Sequence, residues 1–472
     1  MIYFLMCICV FVLSFASYLF IKTYQLCGYN ISQFLDKCIS LKLAAGDKNK
    51  LVFTKRMVRF YILYVLLLAA LFFLPFYYVG NGFLIALDVL LVFLLTPIWI
   101  CLTHYIILPL ENLIKQIYIK KAKKKLAKKN IIKIAITGSF GKTSVKNILT
   151  HILEKEYKVC ATPKNYNTEM GTTLTILNEL DDHDIFISEM GARHKKDIEK
   201  LTKIVEPDFA VMTAIGKCHI ETFKSIENIE DTKFELPQNL SPKGEAFFNG
   251  NNLSTLKLYK KFRGNKFLTC KEGGFAYAKN IEVGESGSKF DLVLDGNEIQ
   301  VKTSLLGNFN IDNIVLSAAL AYRLGVSTKD IESAIKSLKP TPHRLELIKT
   351  PYSTVLDDAY NSNEIGFAEA LNVLSMFSGR KIVVTPGMVE LGVEQSEINF
   401  KLGGKIADVC DYLIIMNNVN KNELLSGAIS HNFKKENIFF ANTREEQKEL
   451  IKLLSCKDCV ILFENDLPDN YN

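Results

Sequence analysis

The segment Thr137-Gly-Ser-Phe-Gly-Lys-Thr-Ser144 follows the apolar run Ile131–Ile136 without a break. A buried strand, a glycine turn and a helix start, in that order, are the parts of a phosphate-binding loop. Gly138 and Gly141 let backbone N–H groups close on phosphate oxygens, and the helix N-terminus favours the same negative charge. Lys142 is spaced to reach the outer phosphates of a nucleoside triphosphate, and the Thr143 hydroxyl to hold Mg²⁺. The loop is two residues shorter than GxxxxGK[ST], because Ile136 stands where that pattern has its first glycine. Thr137, Gly138, Ser139, Gly141, Lys142, Thr143 and Ser144 are therefore the expected nucleotide cradle.

Such a loop must sit at the end of a parallel strand, and the flanking pattern provides one. Ile131–Ile136 reads as a strand and Ser144–Glu156 as a helix with an apolar face at Val145, Ile148, Leu149 and Ile152. Further buried strands are expected at Asp184–Ser188 and Phe209–Ala214, with a helix at Lys195–Ile204 between them. This alternation argues a parallel α/β sheet. Residues 245–305 carry short β-like runs and Gly turns, and read as an antiparallel addition. Helices follow at Ile311–Leu324 and Thr328–Ser337. Lys339-Pro-Thr-Pro-His is a plausible hinge. A second α/β unit is expected beyond it, with strands at Thr354–Leu356, Lys381–Thr385, Tyr412–Met416 and Val460–Phe463 and helices at Ile365–Met376 and Arg444–Leu454.

Other side chains fit a nucleotide and its chemistry. Asn310 and Asn313 can bond an adenine edge, since an amide both donates and accepts; helix capping fits Asn310 nearly as well. Arg344 is placed to meet a phosphate bidentately and Asp358 to accept ribose hydroxyls. Both lie just past the hinge, so bound nucleotide would draw the last domain closed.

From Ile131 to about Gly392 the chain resembles the Mur ligase family, and within it the MurF branch, which adds D-alanyl-D-alanine to UDP-muramoyl tripeptide. The resemblance rests on the phosphate loop and on motifs in family order. These are Asn165-Tyr-Asn167-Thr-Glu-Met-Gly171, Ser188-Glu-Met-Gly-Ala-Arg-His194, His219-Ile-Glu221-Thr-Phe and Asp231-Thr-Lys233-Phe-Glu235. Gly307-Asn-Phe-Asn310-Ile-Asp-Asn313, His343-Arg344-Leu-Glu346, Asp357-Asp358-Ala-Tyr360-Asn361-Ser-Asn363 and Met388-Val-Glu-Leu-Gly392 continue it. The resemblance implies a central ATP-binding domain over 131–340 and a Rossmann-like C-terminal domain over 341–472. It implies ATP-driven amide formation: a carboxylate takes the γ-phosphate, an amine attacks the acyl phosphate, and phosphate leaves. By the same resemblance Thr143, Glu189 and His219 hold Mg²⁺, and Lys142, Lys233 and His219 are catalytic. Lys233 matches the lysine that the family carbamylates. Asn165, Asn167, Arg193, Tyr360, Asn361 and Asn363 are implied in substrate binding.

The N-terminal residues read differently. Residues 2–21, about 61–79 and 83–104 are apolar stretches, each long enough at about 20 residues to span a bilayer. We expect a three-helix transmembrane region over 1–110, with the first stretch retained rather than cleaved, and a basic juxtamembrane linker over 111–130. Lys and Arg residues crowd the segments between the first two stretches and after the third, so the N-terminus is expected outside and the catalytic domains in the cytoplasm. A bacterial inner membrane follows from the family. Asp88 lies within the third stretch, and a place near the interface suits it.

The net charge of +7 owes much to these flanks. The lysine run 120–129 lacks interleaved aromatics, and it reads as a juxtamembrane helix lying on anionic headgroups rather than as a nucleic-acid site. Eleven cysteines without ligand spacing point to reduced thiols and no zinc.

Three departures from the MurF branch bear on substrate. Membrane stretches occupy the length where that branch carries a UDP-sugar domain. Thr385-Pro-Gly387 stands where it usually has Gly-Asp. Glu464, Asp466 and Asp469 stand where it has a basic segment, a change that suits an amine better than a dipeptide carboxylate. The expected protein is a membrane-anchored, MurF-like carboxylate–amine ligase of the cell envelope, using ATP and Mg²⁺ on a small-molecule or lipid-linked acid donor. A genuine MurF and a nucleotide-gated membrane scaffold without ligation are the alternatives.

Overall fold

The computed structural model describes residues 11, 13–15, 17–44, 50–79, 94–164, 166–218, 220–360 and 363–466. Of the residues singled out above, Asp88, Asn165, His219, Asn361 and Asp469 lie outside them, as do most of the stretch 2–21 and the first half of 83–104. The chain divides into two compact units, Met1–Tyr118 and Ile119–Asn472.

In the first unit, helices run over Tyr18–Leu26, Ile31–Ile39, Lys55–Val79 and the start of Thr96–Ala127. Ile21, Tyr24, Phe34, Met57, Phe60, Tyr64 and Ile100 form its core. Several polar side chains inside it are paired: Tyr24 Oη with His104 Nδ1 at 2.5 Å, Ser17 Oγ with Tyr64 Oη at 2.6 Å, and Arg59 with Glu111 in a fork. Outward-facing Ile62, Leu66, Ile98, Leu102, Tyr105 and Ile106 are exposed.

The three-helix membrane region is not supported as a whole: parts of 2–21 and 83–104 lie outside the described residues, and 61–79 falls within helix Lys55–Val79. Among the described residues one helix, Thr96–Ala127, is long and apolar enough to cross a membrane. Nor does that helix stop at His104. No helix breaker follows except Pro109, and the backbone stays helical to Ala127. The helix expected over the lysine run is thus present to that point and is continuous with the apolar stretch. Its Ile119, Ala122 and Leu126 pack into the core of the second unit. Lys125 bonds the Leu177 carbonyl and Asp181, Lys129 bonds the Asp181 carbonyl, and Lys123 pairs with Glu206. Part of the basic run is thus engaged with the protein itself.

The second unit holds two sheets. The first has nine strands: β1 (Ile132–Thr137), β2 (Val159–Ala161), β3 (Ile185–Glu189), β4 (Phe209–Met212), β5 (Glu245–Asn249), β6 (Asn265–Thr269), β7 (Ala276–Gly284), β8 (Gly287–Leu294) and β9 (Asn297–Thr303). Their spatial order is β2-β3-β1-β4-β5-β6-β7-β8-β9. Strands β1 to β6 are parallel, and β7, β8 and β9 form an antiparallel meander. The antiparallel addition is therefore shorter than expected. Helix Leu253–Lys261 crosses over between β5 and β6, and such a crossover makes those two strands parallel. Both faces of the parallel part are buried, as such sheets require. Ile134 and Ile136 face a core built with helices Lys142–Leu153 and Asn308–Arg323. Ala135 faces the opposite core, with Phe186, Ala210 and Ile176.

The second sheet comprises β10 (Glu346–Lys349), β11 (Ser353–Asp358), β12 (Lys381–Thr385), β13 (Tyr412–Met416), β14 (Ile438–Ala441) and β15 (Cys459–Glu464), in the order β10-β11-β15-β12-β13-β14. Only β10 is antiparallel to its neighbour. Strands β10 and β14 and helices Gln395–Ala407 and Lys421–Ser430 went unread in the sequence.

The last strand inserts between β11 and β12, which brings the segment after β15 beside the turn after β12. In an open α/β sheet ligands bind beyond the carboxyl ends of the strands. Two buried amides fix that turn. Asn399 accepts from Met388 N at 2.8 Å and donates to the carbonyls of Met388 and Gln395. Asn420 donates to the Pro386 and Met388 carbonyls, and Asn465 to that of Gly387 at 2.7 Å. Replacing Asn399 by Leu would bury these backbone groups without partners. We expect Asn399→Leu to cost about 2–3 kcal/mol in urea unfolding of the full chain; an unchanged midpoint would show that the turn does not depend on it.

Candidate active site

The phosphate loop closes between β1 and helix Lys142–Leu153. It is pinned to the segment after β4: Ser139 N donates to the Ala214 carbonyl at 2.8 Å, Ser139 Oγ to that of Gly216, and Thr213 Oγ1 to that of Phe140. Gly138 is needed for space, since a Cβ there would lie 1.9 Å from Thr213 Oγ1. Gly141 has φ +80, and a Cβ would meet Asn313 Oδ1 at 2.9 Å. Lys142 turns its ammonium inward to the Gly138 and Ser139 carbonyls, at 3.0 and 2.9 Å. The Thr137 hydroxyl is committed to the Met190 carbonyl. Any nucleotide contact by Thr137 would be through its backbone.

Register decides what faces the loop. Parallel pairing sets Ile136 opposite Glu189, so the carboxylate at the end of β3 stands beside the loop. Thr143 Oγ1 donates to Glu189 Oε2 at 3.0 Å, and Asn167 Nδ2 to Oε1 at 3.3 Å. Asn167, expected among substrate contacts, thus holds this carboxylate. Lys146 lies 3.2 Å from Glu189 Oε2, and both side chains are at most 3% exposed. Lys146 also donates to the Thr162 and Lys164 carbonyls. It was missed in the sequence, although it falls four residues after Lys142 on the same helical face.

Lys233 is 2% exposed on helix Ile226–Gln238. Burial, reinforced by the Lys142 ammonium, pulls its pKa from the usual lysine range to about 8. Glu235, on the same helix, accepts from Lys196 N and Glu199 N at the start of helix Asp197–Val205, which fixes the helix that carries Lys233. Lys142 is also pulled down by burial, with Glu189 opposing.

A cavity of about 370 Å³ opens beside the loop helix, lined by Ser144, Asn147, Ile148, Asn310, Thr341 and Arg344. The hinge closes one side through Asn147 Nδ2 to Thr341 Oγ1 at 3.1 Å. Asn310 donates to the Leu306 carbonyl, while Gly307 takes the cap position itself. The Asn313 amide nitrogen is buried and has no partner. Arg344 stacks over Tyr360 at 4.3 Å. Asp358 accepts from Leu345 N at 3.1 Å, and burial raises its pKa to about 6. Asn363 caps helix Glu364–Met376 by accepting from Gly366 N. Arg193 is exposed after β3, with only its backbone N bonded to Asp197.

These groups fit ATP and Mg²⁺. The glycine cradle, the inward lysine and the orphaned Asn313 donor suit a nucleotide. A hydroxyl and a carboxylate 3.0 Å apart suit a hard cation that takes its remaining oxygens from phosphate and water.

The pattern of the Mur ligase middle domain matches residues 136–321. A UDP-N-acetylmuramoyl-tripeptide–D-alanyl-D-alanine ligase of Buchnera aphidicola subsp. Baizongia pistaciae is 34% identical over 339 residues, 71% of this chain and 72% of that one. The Haemophilus influenzae protein of the same name is 30% identical over 63% of this chain and 66% of its own length. Among solved structures, MurF from Thermotoga maritima in complex with ADP matches with a TM-score of 0.68 and 28% identity, over 75% of this chain and 80% of its own. MurF from Acinetobacter baumannii matches with 0.68 and 25%, over 75% and 77%.

Breaking the buried ion pair would strand Glu189. We expect Lys146→Met to destabilise the second unit by about 3–5 kcal/mol, read by calorimetry of the full chain. Stability equal to the parent's would mean that Glu189 does not need this partner.

Proposed function

The chain belongs to the Mur ligase family, whose members are ATP-dependent amide-forming ligases, and on that footing we propose that it joins D-alanyl-D-alanine to a UDP-muramoyl tripeptide. The names of its relatives support this pair of substrates. The observation that carries the chemistry is the convergence of Lys142, Thr143, Glu189 and Lys233 on one phosphate loop.

In this reading the donor carboxylate attacks the γ-phosphorus of ATP, ADP leaves, and an acyl phosphate forms. The acceptor amine then attacks the acyl carbon, loses a proton, and phosphate departs. Lys142 and Arg344 draw charge from the phosphate oxygens, and little covalent work falls to the protein. Thr143 and Glu189, with His219 as the family's further ligand, would hold Mg²⁺, which would supply charge neutralisation. Lys233 has the low pKa that carbamylation needs, because only a neutral amine adds CO₂. Asn310 and Asn313 would meet the adenine and Asp358 the ribose.

A second reading keeps the ligase chemistry but changes the substrates, with the enzyme anchored in a bacterial inner membrane and its catalytic domains in the cytoplasm. The exposed apolar residues of the first unit favour the anchor. A lipid-linked donor belongs to this reading, since tethering raises effective concentration.

The test is phosphate release by the full chain with Mg²⁺-ATP, bicarbonate and UDP-muramoyl tripeptide, offering D-alanyl-D-alanine and a panel of amines separately. Turnover with the dipeptide alone supports the first reading, and turnover only with another amine supports the second. Lys142→Ala should lose about 100-fold or more in either case. Turnover should also fall as pH drops from about 8 towards 6, because Lys233 then carries its proton and cannot be carbamylated. Added bicarbonate should raise it. A rate indifferent to bicarbonate and to this pH range would remove Lys233 carbamylation from the scheme.

A further inference from the structure

We propose that Glu369 is a positioning residue: from a helix of the second sheet it caps the helix that carries Asn310 and Asn313, and so couples docking of the two sheets to the hold on the nucleotide base. The inference rests on the nucleotide reading of those two amides.

The first N–H groups of a helix have no partner within it. In helix Asn308–Arg323, Asn310 N and Ile311 N reach back to the Gly307 carbonyl, at 3.2 and 3.4 Å. Gly307 has no side chain with which to cap, and the first turn carries no acid. The acceptor comes from 61 residues along the chain: Asn308 N donates to Glu369 Oε1 at 2.7 Å. Glu369 belongs to helix Glu364–Met376, which packs on the second sheet. A carboxylate in this place meets an orphaned donor and the positive end of the helix dipole together. Its other oxygen accepts from Asn372 Nδ2 at 3.4 Å, which aims the group.

The surroundings are built for this approach. Gly307 has φ +81, and a Cβ there would lie 3.1 Å from Val373 Cγ2 and 3.2 Å from Glu369 Oε1. Leu306, just before it, is buried in the second sheet's core with Phe367 and Val373. Beyond its other end the same helix is tied back to the first sheet, where Ser378 N donates to Glu285 Oε1 at 2.9 Å in the turn between β7 and β8. Each sheet thus lends a carboxylate to a backbone N–H of the other. Asn310 and Asn313 follow within the first two turns of the capped helix. Asn310 and Arg344 line one cavity from the two sides of the hinge. A nucleotide that needs both sets of contacts binds only the docked arrangement, so its apparent affinity scales with the docked fraction. Removing the cap lowers that fraction.

Two variants and two readouts separate this role from a merely local one. Glu369→Ala removes the acceptor, whereas Glu369→Gln keeps an oxygen for Asn308 N and loses only the charge. Mg²⁺-ADP affinity of the full chain is measured by calorimetry, and hydrogen exchange at Ser378 by mass spectrometry with and without ADP. Glu369→Ala should bind ADP about tenfold more weakly, and Glu369→Gln should stay within a few-fold of the parent. The Ser378 amide, which neither substitution touches, should exchange faster in nucleotide-free Glu369→Ala than in the parent and regain protection at saturating ADP. An Ala variant that binds ADP as the parent does would overturn the proposal. So would weaker binding with exchange at Ser378 unchanged, or a Gln variant as weak as the Ala one. ADP binding involves neither peptide substrate, so failure of the proposed ligation would leave these results intact. A parent that binds no ADP would overturn the nucleotide reading together with the inference.

Discussion

A carboxylate taken almost wholly out of water survives as an anion only if positive and donor groups surround it. Glu189 is in that position, and much of the ligase unit is arranged around it. Lys146 gives the counter-charge, Thr143 and Asn167 give hydrogen bonds, and Thr162 Oγ1 accepts from its backbone N–H. These partners come from the loop helix, from the segment after β2 and from the segment before helix Glu169–Asn178. The pairing of β1 with β3 brings them together. The cost of leaving such a charge uncompensated ties the phosphate loop, the sheet register and the expected metal position into one constraint.

A second constraint acts on cations. Lys142 and Lys233 are both buried, and each weakens the charged form of the other or is weakened by its own burial. Burial and the nearby Lys142 charge thus favour the neutral amine of Lys233, the form that carbamylation needs. Arg344 enters the same cleft from the far side of the hinge, its guanidinium stacked over Tyr360. The two sheets therefore meet at charges rather than through an apolar seam alone. That contact is the natural place for ligand-dependent closure.

The N-terminal unit shows the other side of sequence reading. Apolar length argues for membrane spans, and helix Thr96–Ala127 retains that property. The lysine run reads as a helix at a headgroup surface, but its continuity with the apolar stretch and its packing against the protein do not show in composition. The lysines interrupt the apolar run without breaking the helix, because lysine is a good helix former. Every third or fourth residue there is apolar, and Ile119, Ala122 and Leu126 find a core to bury in. Lys123, Lys125 and Lys129 bond carbonyls and acids of the second unit.

Local patterns are short-range, and they determined the parts that depend on short-range physics. The strand–glycine–helix order of the loop, the parallel α/β alternation, the hinge prolines and the order of the family's motifs could all be read along the chain. The sequence also placed Thr143 and Glu189 together, through resemblance. Three things needed the tertiary structure. Lys146 became the partner of Glu189 because β3 lies beside β1, a neighbour relation across 43 residues of chain. Asn167 bonds the Glu189 carboxylate because β2, whose following segment carries it, also lies beside β3. Glu464 read as a surface acid opposing an acceptor, yet it is buried beside Asp358 because β15 inserts between β11 and β12. A side chain's charge is written in the sequence, but its solvation and its partners are set by which strands become neighbours, and that only the folded chain decides.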